Sequence, residues 1–199
     1  MARITTDMVK QLRERTGAGM MDCKHALEET GGDPEQAIEY LRKKGAATAA
    51  KRADKETNQG VVEAYIHAGG RIGSMVELNC ETDFVAKTPE FKQLAHDIAM
   101  QIAAMSPRYI SREQVSKETV DKELEIYKSQ AENEGKPANI AEKIAQGRLD
   151  KFYQEVVLME QSFIKDSGKT IKDLIDEQTA KVGEKISVRR FLRYHLGEN

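Results

Sequence analysis

A chain of 199 residues with a formal net charge of −2 can bury a core in one or two domains, and it carries no global cationic field that would mark nucleic acid as its main partner. With 39% apolar and 32% charged residues it reads as a soluble, charge-rich globular protein, and no apolar run approaches the ~18–20 residues that span a bilayer. The opening Met1-Ala-Arg-Ile-Thr-Thr-Asp lacks the apolar stretch of a secretory leader, and Cys23 and Cys80 belong to no CxxC or His/Cys ligand pattern, so reduced, buried thiols in a cytoplasmic protein are expected.

Three short helices are expected over residues 4–44. The first spans about 5–15, with Thr5 or Thr6 as N-cap and Met8, Val9 and Leu12 on one face. Thr16-Gly17-Ala18-Gly19 breaks it, and a second helix runs from Met20 to about Thr30, stopping at Gly31-Gly32. The third has the clearest start in the chain: Asp33 as N-cap, Pro34 at the first helical position and Gln36 where a capping box wants an amide or carboxylate. Ala37, Ile38 and Leu41 face inward, and Gly45 is expected to end it. The order Met20-Met21-Asp-Cys-Lys24-His25-Ala26-Leu27, Gly32-Asp33, Ala37 and Leu41 is similar to three-helix domains of the ubiquitin-associated type. Met20 and Met21 fill a core or lie on an adaptable binding surface; two in succession cannot both face one core.

Residues 46–58 read as a helical linker. Arg42 to Lys55 carries six Lys or Arg against the single Asp54, either a solvated face or a nucleic-acid patch. The period then shortens to two. Val62, Ala64 and Ile66 alternate, as do Ile72, Val76, Leu78 and Cys80, around a Gly-rich loop, His67 to Arg71, which gives an antiparallel hairpin. Thr88-Pro89 opens a helix whose stripe is Phe91, Leu94, Ala95, Ile98, Ile102 and Met105, ended by Ser106-Pro107 and expected to pack on the hairpin. Ser111 and Gln114 suit a capping box. Two charged helices follow with narrow seams, Val120, Leu124, Tyr127 and Ala131 in one and Ile140, Ile144, Leu149, Phe152 and Val156 in the other, forming a projecting helical hairpin over about 117–155 that turns at Glu134-Gly135-Lys136-Pro137. Val156 to Ile164 suits a strand or a partner-facing surface. Thr170 and Asp173 cap a last helix ending at Gly183, and Ile186 to Leu196 is a strand with Leu192 and Tyr194 on one face and Arg189 and Arg193 on the other. The expected class is therefore α+β, in three parts: a three-helix lobe over 1–45, a helical linker over 46–58 and an antiparallel sheet packed with helices over 59–199.

Few motifs carry chemistry. Gly168-Lys169-Thr170 resembles the end of a phosphate-binding loop, but the glycine required five residues earlier is Phe163, so no nest of backbone N–H groups is expected there. His25, His67, His96 and His195 are dispersed and none has a second ligand at metal spacing. No cofactor, metal or covalent chemistry is expected. Thr82-Asp83-Phe84-Val85, placed between the hairpin and the next helix, is either a cap with a core phenylalanine or a wedge offered to another protein.

Several strings in order decide between these. Thr16-Gly-Ala-Gly-Met-Met-Asp-Cys-Lys24, Gly69-Gly-Arg-Ile-Gly73, Val76-Glu-Leu-Asn-Cys-Glu-Thr-Asp-Phe-Val85, Gly135-Lys-Pro137 with Ile140-Ala-Glu-Lys-Ile144, and Gly147-Arg-Leu149 closely resemble the bacterial elongation factor Ts family. The resemblance implies a guanine-nucleotide exchange factor for elongation factor Tu. Thr82, Asp83, Phe84 and Val85 would enter that GTPase near its Mg²⁺, with Phe84 wedged between two helices and Asp83 making polar contacts. Arg13, Met20, Met21 and Lys24 would hold a second area of the same GTPase domain, and His67 would add a contact. The single hairpin-and-helix unit resembles the short form of the family, which implies a homodimer in a 2:2 complex, with no nucleotide bound by this chain, no membrane and no nucleic acid as main partner. Ser162 departs from the family pattern, which has proline there.

Overall fold

The computed structural model describes residues 4–198, so the Met1–Arg3 part of the opening lies outside the described residues. The chain divides into two compact units. One comprises the chain up to Glu63, Val76–Asp97 and Asp173–Arg189; the other comprises Ala64–Met75, Ile98–Lys172 and the chain from Arg190 onward. The class is α+β, and no helix among the described residues is long and apolar enough to cross a membrane.

In the first unit, α1 (Thr6–Thr16), α2 (Met20–Glu29) and α3 (Pro34–Lys51) form the expected lobe around Val9, Leu12, Cys23, Ala26, Leu27 and Ala37. The starts of α1 and α3 follow from a local donor–acceptor match, whereas α2 begins after Gly19 with no side-chain cap. The Thr5 hydroxyl accepts the Met8 amide at 3.3 Å, and Asp33 Oδ1 accepts the Glu35 and Gln36 amides at 2.9 and 3.0 Å. The α2 stop requires glycine: Gly31 sits at φ 63°, which lets the Gly32 amide reach back to the Leu27 carbonyl at 2.8 Å.

The expected stop at Gly45 is not taken. Nothing in Ala46–Lys51 opposes helix, so α3 continues to Lys51 and the first half of the linker is one piece with the third helix. Gly45 is buried against α8 (Ile171–Val182), where a Cβ would stand in ordinary contact, 3.6 Å from the Asp176 carbonyl oxygen and 3.8 Å from Ala180 Cβ. The basic run is largely paired. Arg42 meets Asp173 at 3.7 Å, Lys43 meets Glu39 at 2.7 Å, Lys44 meets Asp22 at 2.8 Å and Arg52 meets Glu81 at 2.8 Å.

β1 (Gln59–Ile66), β2 (Ile72–Cys80) and β5 (Ser187–His195) form one sheet in the order β1-β2-β5. The hairpin turn is closed by the His67 amide on the Ile72 carbonyl at 2.9 Å. On β2 the expected residues Val76, Leu78 and Cys80 are buried. On β1 the alternation is as expected, but Val62 and Ile66 face solvent at 63% and 67% exposure while Glu63 turns inward to His96 at 3.0 Å.

In the second unit, α6 (Lys117–Asn133) and α7 (Ala138–Val156) pair as the helical hairpin, and Gly135 at φ 78° lets the Lys136 amide reach the Ala131 carbonyl at 3.1 Å. Val115, Leu149, Phe152, Tyr153, Val156 and Val157 form the core at its base. Further along α7 the buried positions are Ala141 and Ala145 rather than Ile140, which is 44% exposed; small side chains let the backbones approach closely. Of the Val156–Ile164 run, Val156, Val157, Leu158, Gln161 and Phe163 are buried while Ser162 and Ile164 are exposed, and only Ser162–Phe163 forms a strand. β3 (Ser162–Phe163) pairs antiparallel with β4 (Asp166–Thr170), which keeps Gly168-Lys169-Thr170 extended rather than curled around an anion. The Ser162 carbonyl accepts from the buried Gln101 amide at 3.1 Å.

Candidate functional site

Between the end of β2 and α5 (Pro89–Met105) the chain makes one short helix, α4 (Asp83–Ala86). Both flanks are fixed. Upstream, Val76, Leu78 and Cys80 are buried; downstream, the Thr88 hydroxyl accepts the Phe91 amide at 3.3 Å and donates to the Val85 carbonyl at 2.8 Å, while Phe91 is fully buried. Within α4 itself Ala86 turns inward, Val85 is half-buried, and Phe84 stands 80% exposed. That excludes the core role for Phe84 and leaves a large apolar ring held out to solvent. Asp83 sits beside it with its carboxylate 2.5 Å from Lys87 Nζ, an exposed i,i+4 pair that keeps the acid below its usual range.

Thr82 starts the turn in extended backbone, yet its side chain does not cap α4. Its hydroxyl donates to Glu184 Oε1 at 2.7 Å and its amide donates to Glu184 Oε2 at 3.0 Å. Its carbonyl accepts from the Cys80 thiol at 3.1 Å and from the Ala86 amide at 3.3 Å. One residue earlier, Glu81 accepts the Lys185 amide at 2.6 Å and Arg52 at 2.8 and 3.0 Å. The Lys185 amide is the main cause that lowers the Glu81 pKa, with Arg52 adding to it. Burial pushes the Cys80 thiol up to about 11, and the neighbouring Glu184 charge adds to the effect, so this thiol is a donor and not a nucleophile.

On the lobe, Arg13 is exposed near the end of α1, and Met20, Met21 and Lys24 are exposed on α2. Neither methionine belongs to the lobe core, and Met21 is 73% exposed, which sets the core-filling alternative aside. Lys24 makes only a loose pair with Glu28 at 3.7 Å. These four residues and Thr82–Val85 lie in the same unit, with Arg52 at the end of α3 bonded to Glu81. His67 lies in the other unit, in the hairpin turn, with Nδ1 3.1 Å from the Tyr65 hydroxyl. Among the described residues no group of three His, Cys, Asp or Glu is arranged to hold a metal ion.

The family model described as "Elongation factor TS" matches residues 34–198. This chain belongs to the elongation factor Ts family. It is 64% identical over 195 residues to Elongation factor Ts of Carboxydothermus hydrogenoformans, across 98% of this chain and 90% of that protein. It is 62% identical over 198 residues to that of Desulforamulus reducens, across 100% and 91%. It is 64% identical over 190 residues to that of Moorella thermoacetica, across 96% and 94%. The family model begins at α3, whereas these relatives also extend over the α1–α2 part of the lobe.

In elongation factor Ts terms, the residues that sequence reasoning missed are those that hold the Thr82–Val85 turn: Arg52, Glu81, Glu184 and Lys185. Glu184 lies 102 positions from Thr82, and nothing local distinguishes it from other surface carboxylates. Gly183 is the one hint. It ends α8 at φ 73° and reverses the chain just ahead of Glu184.

Proposed function

We propose that this chain is the guanine-nucleotide exchange factor for elongation factor Tu in translation elongation. It binds the GDP form of that GTPase, dislocates the Mg²⁺ and promotes GDP release so that GTP can bind. The observation that carries this reading is Phe84, a ring exposed to solvent on a turn fixed at both ends. Inserted between two helices of the partner's GTPase domain, the ring gains its burial energy there and displaces the groups around the metal and phosphates. Asp83 exchanges its Lys87 pairing for polar contacts on the partner, and Thr82 and Val85 frame the wedge. Arg13, Met20, Met21 and Lys24 on the lobe grip a second area of the same domain, with His67 as a further contact.

No covalent step is needed. If the factor weakens GDP binding, GDP weakens factor binding by the same ratio, so abundant GTP completes the cycle and expels the factor. We further propose that the protein works in the cytoplasm as a homodimer carrying two partner molecules. The exposed sheet face of Ala64, Ile66, Met75, Leu192, Tyr194 and Leu196 supports this, since a second copy would cover it.

Release of a fluorescent GDP from elongation factor Tu tests the exchange reading. Wild type should accelerate release, and Phe84→Ala and Asp83→Ala should lose most of that effect. Release by both variants at the wild-type rate would refute the wedge.

A further inference from the structure

The contacts around Thr82 are more extensive than a four-residue helix needs. A threonine in this position ordinarily turns its hydroxyl onto the first amides of the helix that follows. Here it faces away, and α4 has no side-chain cap. Both Thr82 donors go to the two oxygens of one carboxylate, Glu184, at 3.0 and 2.7 Å, and its carbonyl takes the Cys80 thiol at 3.1 Å. The neighbouring residues are joined in the same crossed fashion, Glu81 accepting the Lys185 amide at 2.6 Å. Two successive residues before Phe84 are thus bonded to two successive residues after α8, while Phe84 itself is left in water.

We propose that Glu184 is a positioning residue for exchange: it fixes Thr82 so that the Phe84 turn meets the partner already ordered. This deepens the exchange reading above and rests on it. A turn that must be ordered on docking spends part of the ring's burial energy on its own immobilisation; a turn held in advance passes that energy to the partner's metal site. Charge-assisted bonds to a backbone amide and a hydroxyl suit this role, because they are short and directional. Cys80 completes the hold from below, protonated and donating.

A purely structural Glu184 predicts something different. It would lower exchange only as far as it lowers the folded fraction, and its effect would add to that of Phe84→Ala. Stopped-flow GDP release at saturating factor separates the two, with thermal unfolding of the same full-length variants. Glu184→Ala is expected to lower the saturating release rate about tenfold, part of the loss expected when the ring itself is removed, without loss of the folded fraction. Phe84→Ala/Glu184→Ala is expected to match Phe84→Ala within about twofold, because without the ring there is nothing left to position. Glu184→Gln should restore most of the rate, since its amide oxygen accepts the Thr82 amide and its NH₂ donates to a hydroxyl that also accepts.

Amide hydrogen exchange supplies a readout independent of the partner: Glu184→Ala should speed exchange at Thr82, Ala86 and Lys87 and leave Leu94 and Ala95 protected. Should Glu184→Ala fold poorly, Thr82→Val removes the hydroxyl contact alone and carries the same expectations in smaller measure. A wild-type saturating rate in Glu184→Ala, or losses that add in the double variant, would overturn the positioning role while leaving the exchange reading intact. A wild-type chain that leaves GDP release unchanged would overturn both.

Discussion

Phe84 and Phe91 lie seven positions apart on either side of the α4–α5 junction, and they make a matched pair of perturbations. Phe91 is fully buried and Phe84 is 80% exposed. Truncating a buried phenylalanine to alanine costs about 3–5 kcal/mol, which for a chain of this size lowers Tm by roughly 6–20 °C. Truncating one already in water removes almost no folding contact, so Phe84→Ala should move stability by no more than about 0.5 kcal/mol and Tm by about 2 °C. The order reverses at the partner. With most of its surface still available to bury, Phe84 would gain about 1.5–3 kcal/mol on the proposed docking, equivalent to roughly a 10- to 150-fold change in exchange. Thermal unfolding of both variants, run beside fluorescent-GDP release at several factor concentrations, should therefore show opposite rankings. A Phe84→Ala variant that loses as much Tm as Phe91→Ala, or that releases GDP as fast as wild type, would refute the reasoning.

Leu192→Arg places a charge in the middle of the exposed sheet face and should leave the chain monomeric where the wild type forms the proposed dimer, with little change in Tm; sedimentation velocity of both proteins reads this directly, and a variant that dimerises like wild type would rule that face out as the contact. Gln101→Leu removes a fully buried amide that bonds the Gln161 side chain at 3.2 Å and the Ile164 amide at 3.0 Å. It leaves Gln161 Oε1, the Ser162 carbonyl and the Ile164 amide without this partner, a loss of about 1–3 kcal/mol; a Tm within a degree of wild type would contradict it. Glu81 has a folded-state pKa lowered by the Lys185 amide and Arg52, so the unfolded chain binds its proton first as acid is added. Its contribution is complete above the ordinary value near 4.5 and is lost as pH falls through the lowered one. Denaturant unfolding of Glu81→Gln between pH 3 and 6 should accordingly show a flatter acid limb than wild type, and parallel limbs would show that this carboxylate is not the linked group.

Local signals in the sequence carried most of the fold, and they failed where a residue answers to something distant. Asp33-Pro34 with Gln36 is a complete helix start within four residues, and the structure uses all of it. Gly45 looks like a stop because glycine disfavours helix, but one glycine costs only about 1 kcal/mol, and the contact of this turn with α8, more than a hundred positions later, is invisible locally. In β1 the alternation is visible but its sense is not: Val61, Glu63 and Tyr65 turn inward, and the more apolar Val62, Ala64 and Ile66 turn out. The Glu63–His96 pair makes the inward glutamate acceptable, and no local pattern announces it. Ile140 reads as seam by spacing, yet alanines take the close positions on α7. At the candidate site, Thr82–Val85 stood out through family resemblance, while its support by Glu184 could come only from the fold.

Exposure of one aromatic ring is weak information by itself, since folded proteins leave many apolar atoms in water. What gives Phe84 meaning is the contrast with its surroundings. A turn that served only to connect β2 to α5 could bury its ring beside Ala86, or leave the ring out and the backbone loosely held. This turn does neither: Thr82 has its amide, hydroxyl and carbonyl all bonded, Glu81 is bonded to both Arg52 and Lys185, and Thr88 fixes the exit. Each of those bonds has an ordering cost, and none of them shelters the ring. Order concentrated beneath an unsheltered apolar group lowers the free energy of one later event, the meeting of that group with a complementary surface, and it does so before that surface arrives.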